Sequence, residues 1–183
     1  MGTSIGLLEL KSIPMGIYAA DEMLKKADVR LLMASPVCPG KYIIIISGNI
    51  GSVKSAMEAG SLCGSAFVVD SQIINNTHES LPAAILGISD IARVMSLGVV
   101  ETINAVSAIR AGDIAAKASN VQLMEIRTAR GLGGKGFAMF TGELSAVESA
   151  VKACVNQLAD TAVITSYVTI SSPHEGLIEH LTS

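Results

Sequence analysis

Cysteine is the side chain whose setting here most plainly allows chemistry. The chain carries three, and they are not equivalent. Cys38 lies in Ser35-Pro36-Val37-Cys38-Pro39-Gly40, between two prolines and a glycine, a stretch that can form neither helix nor central strand. A thiol in such a turn is expected to be exposed, rigidly presented and open to metal binding or nucleophilic chemistry. Cys63 and Cys154 fall at helical spacing among apolar residues and are expected to behave as small buried hydrophobes. An odd cysteine count argues against a disulfide framework, and reduced thiols suit a cytosolic compartment. His78 and His174 stand without a recurring nucleophile, acid or metal partner, so a structural role fits them better than a catalytic one. His180 reads as exposed tail. Gly131-Leu132-Gly133-Gly134-Lys135-Gly136 resembles a phosphate loop only superficially. It lacks the GxxxxGK[ST] spacing and joins two expected strands, leaving no helix N-terminus for a phosphate.

The elements that position these residues must come from an unusually apolar chain. Of 183 residues, 50% are apolar and only 16% charged, against roughly 25% charged in ordinary globular domains. Disorder is excluded by that balance. The longest apolar run, Tyr42 to Ile46, falls far short of the roughly 20 residues that span a bilayer, and no signal peptide is expected from Met1-Gly2-Thr3-Ser4. Thirteen basic against sixteen acidic residues, with three Tyr, three Phe and no Trp, argue against nucleic acid. A surface with so little charge suggests burial against other protein.

The chain is a tandem duplication. At an offset of 92, Gly6, Glu9, Ile17, Ala19, Asp21, Lys25, Val29 and Leu31 meet Gly98, Glu101, Ile109, Ala111, Asp113, Lys117, Val121 and Leu123. Those are 8 identities in 27 positions, where chance supplies about two. Further matches follow at offsets 94 (Lys41 with Lys135, Gly48 with Gly142) and 96 (His78-Glu79 with His174-Glu175). The domains are read as 1–87 and 97–183, with 88–96 as the linker.

Each copy reads β-α-β-β-α-β-α, an α+β fold with a roughly four-stranded antiparallel sheet and flanking helices, ferredoxin-like in order. Strands are expected over 5–10 and 97–102, 29–34, 41–47, 67–69 and 162–165. The first helix is expected to bury Ile17, Ala20, Leu24 and Ala27. The second should bury Val53, Ala56, Gly60 and Cys63, matched in copy two by Val147, Ala150, Cys154 and Leu158.

Leu97-Gly-Val-Val-Glu-Thr102, Ala111-Gly-Asp113, Lys117-Ala118, Asn120-Val121, Gly142-Glu-Leu144, Ala146-Val147 and Ser171-Ser-Pro-His-Glu175 together resemble the bacterial microcompartment shell domain, kept in unpermuted order in both copies. The resemblance implies a structural, non-enzymatic shell protein of cytoplasmic microcompartments. Three tandem chains would form a pseudo-hexagonal homotrimer with a central pore and join neighbouring shell proteins edge to edge. It implies tile-edge roles for Lys25, Lys117, His78 and His174. From spacing alone, each lysine is the i,i+4 partner of Asp21 or Asp113. The family's edge motif Pro-Arg-Pro-His reads here as Asn75-Asn76-Thr77-His78 and Ser171-Ser172-Pro173-His174, without the arginines.

The hairpin between the second and third strands is the family's pore loop. Pro36, Val37, Cys38, Pro39 and Gly40 would line the pore from one copy. The longer loop from Thr128 through Ala129 and Arg130 to Gly131, Leu132, Gly133 and Gly134 would line it from the other. One cysteine cannot hold an iron–sulfur cluster, which takes about four ligands. The stretch Cys38-Pro-Gly-Lys41 is similar to a type found in propanediol-utilisation compartments, where a loop cysteine from each of three chains binds one [4Fe–4S] cluster on the trimer axis. That resemblance implies Cys38 as metal ligand, and electron transfer across the shell, with lumen redox enzymes as partners, or cluster-gated transport. A zinc site of three thiolates, an idle thiol on a metal-free tile that passes small metabolites, and a small α+β enzyme or ligand-binding oligomer are the alternatives. The last is weakened because no acid–base or nucleophilic constellation recurs.

Overall fold

A computed structural model describes residues 3–128 and 131–182. In the first copy the elements are β1 (Thr3–Leu10), α1 (Ile13–Lys26), β2 (Arg30–Val37), β3 (Lys41–Gly48), α2 (Ile50–Gly64), β4 (Val68–Thr77) and α3 (Leu81–Leu86). The second repeats them as β5 (Ser96–Thr102), α4 (Ala105–Ala118), β6 (Gln122–Thr128), β7 (Gly136–Gly142), α5 (Leu144–Gln157), β8 (Ile164–Ile170) and α6 (Glu175–Leu181). The sheets run β2-β3-β1-β4 and β6-β7-β5-β8, with every neighbouring pair antiparallel. The expected fold class and element order therefore hold. By compactness the chain divides into Met1–Pro82 with Ala129–Gly134, and Ala83–Thr128 with Lys135–Ser183.

In the first unit α1 and α2 cover one face of the sheet. Leu8, Leu10, Ile44 and Ile46 point there and pack with Ala19, Ala20, Met23, Val53, Ala56 and Met57. The alternate residues Ile5, Leu7, Ile43 and Ile45 are buried too. A strand hidden on both faces reads as a continuous apolar run, which explains Tyr42 to Ile46. Helix starts are capped by side chains: Asn49 Oδ1 accepts from Ser52 N and Asn104 Oδ1 from Ser107 N, each at 2.9 Å.

The buried face of α1 differs from the expected one. Gly16, Ala19, Ala20 and Met23 are buried, whereas Ile17 is 55% and Leu24 41% exposed, and Ala27 is only partly covered. Size alone misleads here, because the helix must approach its sheet closely. A Cβ on Gly16 would stand within 3 Å of three Tyr42 atoms, so the stripe begins with Gly16, Ala19 and Ala20, and its large residue, Met23, comes two turns further on. In the second copy Ile109, the counterpart of Ile17, is fully buried.

The last strands also run longer than expected, through Thr77 and Ile170 rather than stopping at Val69 and Thr165. Ile5 pairs with Ile74 and Leu97 with Ile170, so the central strands carry the ladder past the apolar residues and into polar sequence. On α2, Cys63 is only half-buried, and Gly64 and Met57 take the inner positions instead. Cys154 is buried as expected. It donates Sγ–H to the Ala111 carbonyl at 3.3 Å, and burial pushes its pKa from 9.0 up to about 12.

A thiol that keeps its proton when folded, but loses it above pH 9 when unfolded, costs stability as pH rises from 9 toward 12. Urea unfolding should show wild type losing up to about 1.4 kcal/mol per pH unit relative to Cys154→Ala over that window. Parallel curves would refute the assignment. Gly16→Ala should destabilise by about 1–3 kcal/mol through overpacking against Tyr42, measured as a lowered urea midpoint.

Candidate metal centre at the first hairpin

Strands β2 and β3 are closed by Val37 opposite Lys41, leaving Cys38, Pro39 and Gly40 as the turn. Each residue suits its position. Pro36 sits on β2, an edge strand, where a missing backbone donor is tolerated. Gly40 has φ +69, and nothing would meet a Cβ there, so conformation rather than space calls for glycine. The Cys38–Pro39 peptide is cis. Cys38, Pro39 and Gly40 are exposed, as expected. Val37 differs from the other residues assigned to the pore: it is buried, at 5% exposure, rather than open to a pore.

The base of this hairpin is held electrostatically. Lys41 Nζ lies 3.2 Å from Glu9 Oε1, tying the first residue of β3 to the central strand β1. The second copy repeats the device with Lys135 Nζ at 3.0 Å from Glu101 Oε1. Thr165 Oγ1 adds a 2.5 Å hydrogen bond to the same carboxylate. The threonine first, and then the lysine, hold the Glu101 carboxyl below its usual pKa. These pairs were missed as site residues in the sequence, although both members were among the identities that revealed the repeat. Charged identities across a duplication, on strands expected to pair, are the signal that finds them.

The loop of the second copy is a different object. Gly131, Gly133 and Gly134 all have positive φ, at 72, 62 and 95. Leu132 among them is partly covered, while Ala129 and Arg130 lie outside the described residues. Gly134 belongs to the same compact unit as Cys38, and a Cβ on it would stand 3.8 Å from the Cys38 carbonyl oxygen. Two of the loops assigned to the pore thus meet at one place.

The other assigned residues lie elsewhere. Lys25, 63% exposed, pairs with Asp21 at 2.5 Å and with Glu22 at 3.3 Å, and Lys117 pairs with Asp113 at 2.6 Å. The local reading of both lysines is therefore realised, on α1 and α4. The histidines share one local function. His78 Nδ1 accepts from Ser80 N at 3.3 Å, and His174 Nδ1 accepts from Gly176 N at 3.2 Å, so each closes the turn that enters the next helix.

Among the described residues of one chain, no three His, Cys, Asp or Glu gather as a metal cage. The Cys38 donor is nevertheless suited to shared ligation: a single exposed thiol at the tip of a short, braced turn. It fits a thiophilic metal or cluster only as one ligand among copies contributed by other chains.

The BMC domain model matches residues 4–77 and again 96–173. The chain is 36% identical over 177 residues to the microcompartment shell protein PduT of Citrobacter freundii, covering 97% of this chain and 96% of that one. It is also 36% identical over 58 residues to the shell protein PduA of the same organism, spanning 62% of that protein. A crystal structure of a microcompartment protein from Desulfitobacterium hafniense superposes with TM-score 0.95 at 42% identity, covering 98% of this chain and 99% of that one. A fused permuted hexameric shell protein of the RMM microcompartment gives TM-score 0.59 at 26% identity over 86% of this chain and 84% of that one.

The three thiols should separate by accessibility. With metal removed by chelation, iodoacetamide at pH 8 should alkylate Cys38 first and Cys63 more slowly, with Cys154 reached only in denaturant. Peptide mass mapping over time reads the order, and early labelling of Cys154 would contradict its burial.

Proposed function

This chain belongs to the bacterial microcompartment shell-protein family, and from that premise we propose that three copies form a pseudo-hexameric tile whose pore carries a [4Fe–4S] cluster held by one Cys38 per chain. It is a structural component of the microcompartment shell in the bacterial cytoplasm and not an enzyme.

The carrying observation is Cys38 itself, an exposed thiol at the tip of a turn braced by prolines, a positive-φ glycine and the Lys41–Glu9 pair. Three-fold symmetry multiplies one such donor into a ring of three. The bound cluster supplies one-electron transfer. The chain's part is to fix the thiols: Val37, the last residue of β2, is buried, and the Lys41–Glu9 pair holds the first residue of β3 to the central strand. Electrons would cross the shell to redox partners in the lumen, and gated transport through the same pore is the second use. The metal-free tile, whose pore passes small metabolites, is the competing reading.

Exposed apolar surface supports the trimer. Ile17 and Tyr18 on α1, Val69 and Ile73 on edge strand β4, and Tyr167 and Val168 on edge strand β8 are all open. Large apolar groups on unpaired edges are the kind of surface another subunit covers. A neighbour seated on α1 would also give Ile17 the buried setting that Ile109 already has. Lys25 and Lys117, with His78 and His174, are assigned to the tile edge.

Iron and acid-labile sulfide should each be about four per trimer in anaerobically purified protein. Both should vanish in Cys38→Ser while light scattering still reports a trimer. No iron after anaerobic reconstitution would leave the metal-free tile. Lys25→Ala with Lys117→Ala should keep the trimer but abolish edge-to-edge sheets in electron micrographs; sheets that persist would remove those lysines from the edge.

A further inference from the structure

The connection between β6 and β7 is longer than its counterpart in the first copy. Pro36 pairs with Tyr42 across five residues, whereas the matching pair, Thr128 and Gly136, encloses seven. The two added residues account for the slip of the repeat from an offset of 92, at Leu31 and Leu123, to 94, at Lys41 and Lys135. An insertion at a hairpin tip extends the reach of the backbone without disturbing the sheet beneath it. By compactness Gly131–Gly134 belongs with the first copy, although the strands it joins belong with the second.

The place this loop reaches is Cys38. Apart from its own chain neighbours, the Cys38 carbonyl oxygen is the one atom among the described residues within 4 Å of a Cβ placed on Gly134, at 3.8 Å. That distance leaves room for a methyl group, so space does not demand glycine; the φ of +95 does. Gly131 and Gly133 follow the same rule, with positive φ and nothing within 4 Å of a Cβ. Three glycines in conformations that other residues avoid therefore define a path, and the path ends against the peptide unit of Cys38. The thiol itself stays exposed. The contact supports the backbone that carries the sulfur without covering the sulfur.

The base of the first hairpin is tied down, by the Val37–Lys41 pairing and by Lys41 Nζ at 3.2 Å from Glu9 Oε1. Its tip, Cys38 to Gly40, is exposed throughout. A metal ligand at an exposed tip keeps its geometry only where a further layer of contacts fixes it. We propose that the Gly131–Gly134 loop is that layer, and that Gly134 is a positioning residue acting through the Cys38 backbone. The proposal rests on Cys38 being the cluster ligand, and it gives the unlike second hairpin a task of its own. Each thiol is steadied from within its own chain, by the copy that has no cysteine to offer.

A nitroxide attached to Cys38 through a methanethiosulfonate reagent tests the brace in metal-free full-length protein, with Cys63→Ser as background. Wild type should give a broadened, restricted EPR spectrum. Gly134→Ala, and deletion of Leu132 with Gly133 to restore the shorter length, should each narrow the lines while light scattering shows the same assembly. Gly87→Ala removes another positive-φ glycine, at φ +67 and away from the loop, and should leave the spectrum unchanged. In protein loaded anaerobically, a chelator should strip iron from either loop variant about tenfold faster than from wild type. Label motion identical in wild type and both loop variants would overturn the proposal whatever the iron content. Narrowed lines in the variants, with no iron in wild type, would uphold the brace and refute the cluster alone.

Discussion

A central strand with no side chain at its midpoint governs each half of this molecule. On β1, a Cβ at Gly6 would stand 2.8 Å from Met57 and 3.0 Å from Val53, so α2 settles onto the sheet only because the position is empty. On β5, the Phe140 ring of the neighbouring strand occupies the equivalent space, 2.4 Å from where a Gly98 Cβ would be. The glycine costs strand propensity, which the burial of Met57 or Phe140 in the space it leaves offsets. With the central strand set, its antiparallel neighbours take their register from it. The hairpin that carries Cys38 then projects from a sheet whose position is not negotiable.

The features legible in the sequence were those that duplication or local chemistry repeats. Identities at offsets of 92, 94 and 96 exposed two copies, and alternation and turn residues placed the hairpins. The Pro-Val-Cys-Pro-Gly stretch announced an exposed thiol, and Cys38 is exposed at a turn. What stayed hidden was governed by distance through space. The inner stripe of α1 begins with small residues because Tyr42 lies against Gly16, and no local pattern reveals that neighbour. The strands β4 and β8 run on through polar residues because their partners hold them in the ladder. Cys63 is half-buried because Gly64 and Met57 occupy the inward positions of α2.

Electrostatics divides between the conserved framework of the repeat and its points of divergence. The Glu9–Lys41 and Glu101–Lys135 pairs recur at matched sites and brace matched hairpins. Such partly exposed pairs contribute little to global stability, about 1 kcal/mol or less, so their value lies in fixing where a loop begins. The Glu125–Arg127 pair has no counterpart in the first copy, where Met33 and Ser35 stand instead. A duplicated scaffold thus keeps its bracing and alters what the braces hold.

The unlike hairpins have a consequence for arithmetic on a symmetry axis. A ring of six identical single domains repeats every substitution six times, so an introduced donor arrives in sixes or not at all. Tandem fusion breaks that lockstep. Because Cys38 has no partner cysteine in the Gly131–Gly134 loop, the proposed trimer would set three thiols alternating with three glycine-rich segments. Odd stoichiometry at the centre of an evenly tiled layer becomes accessible to evolution through one copy's loop alone, while the other copy remains free to drift toward a different use.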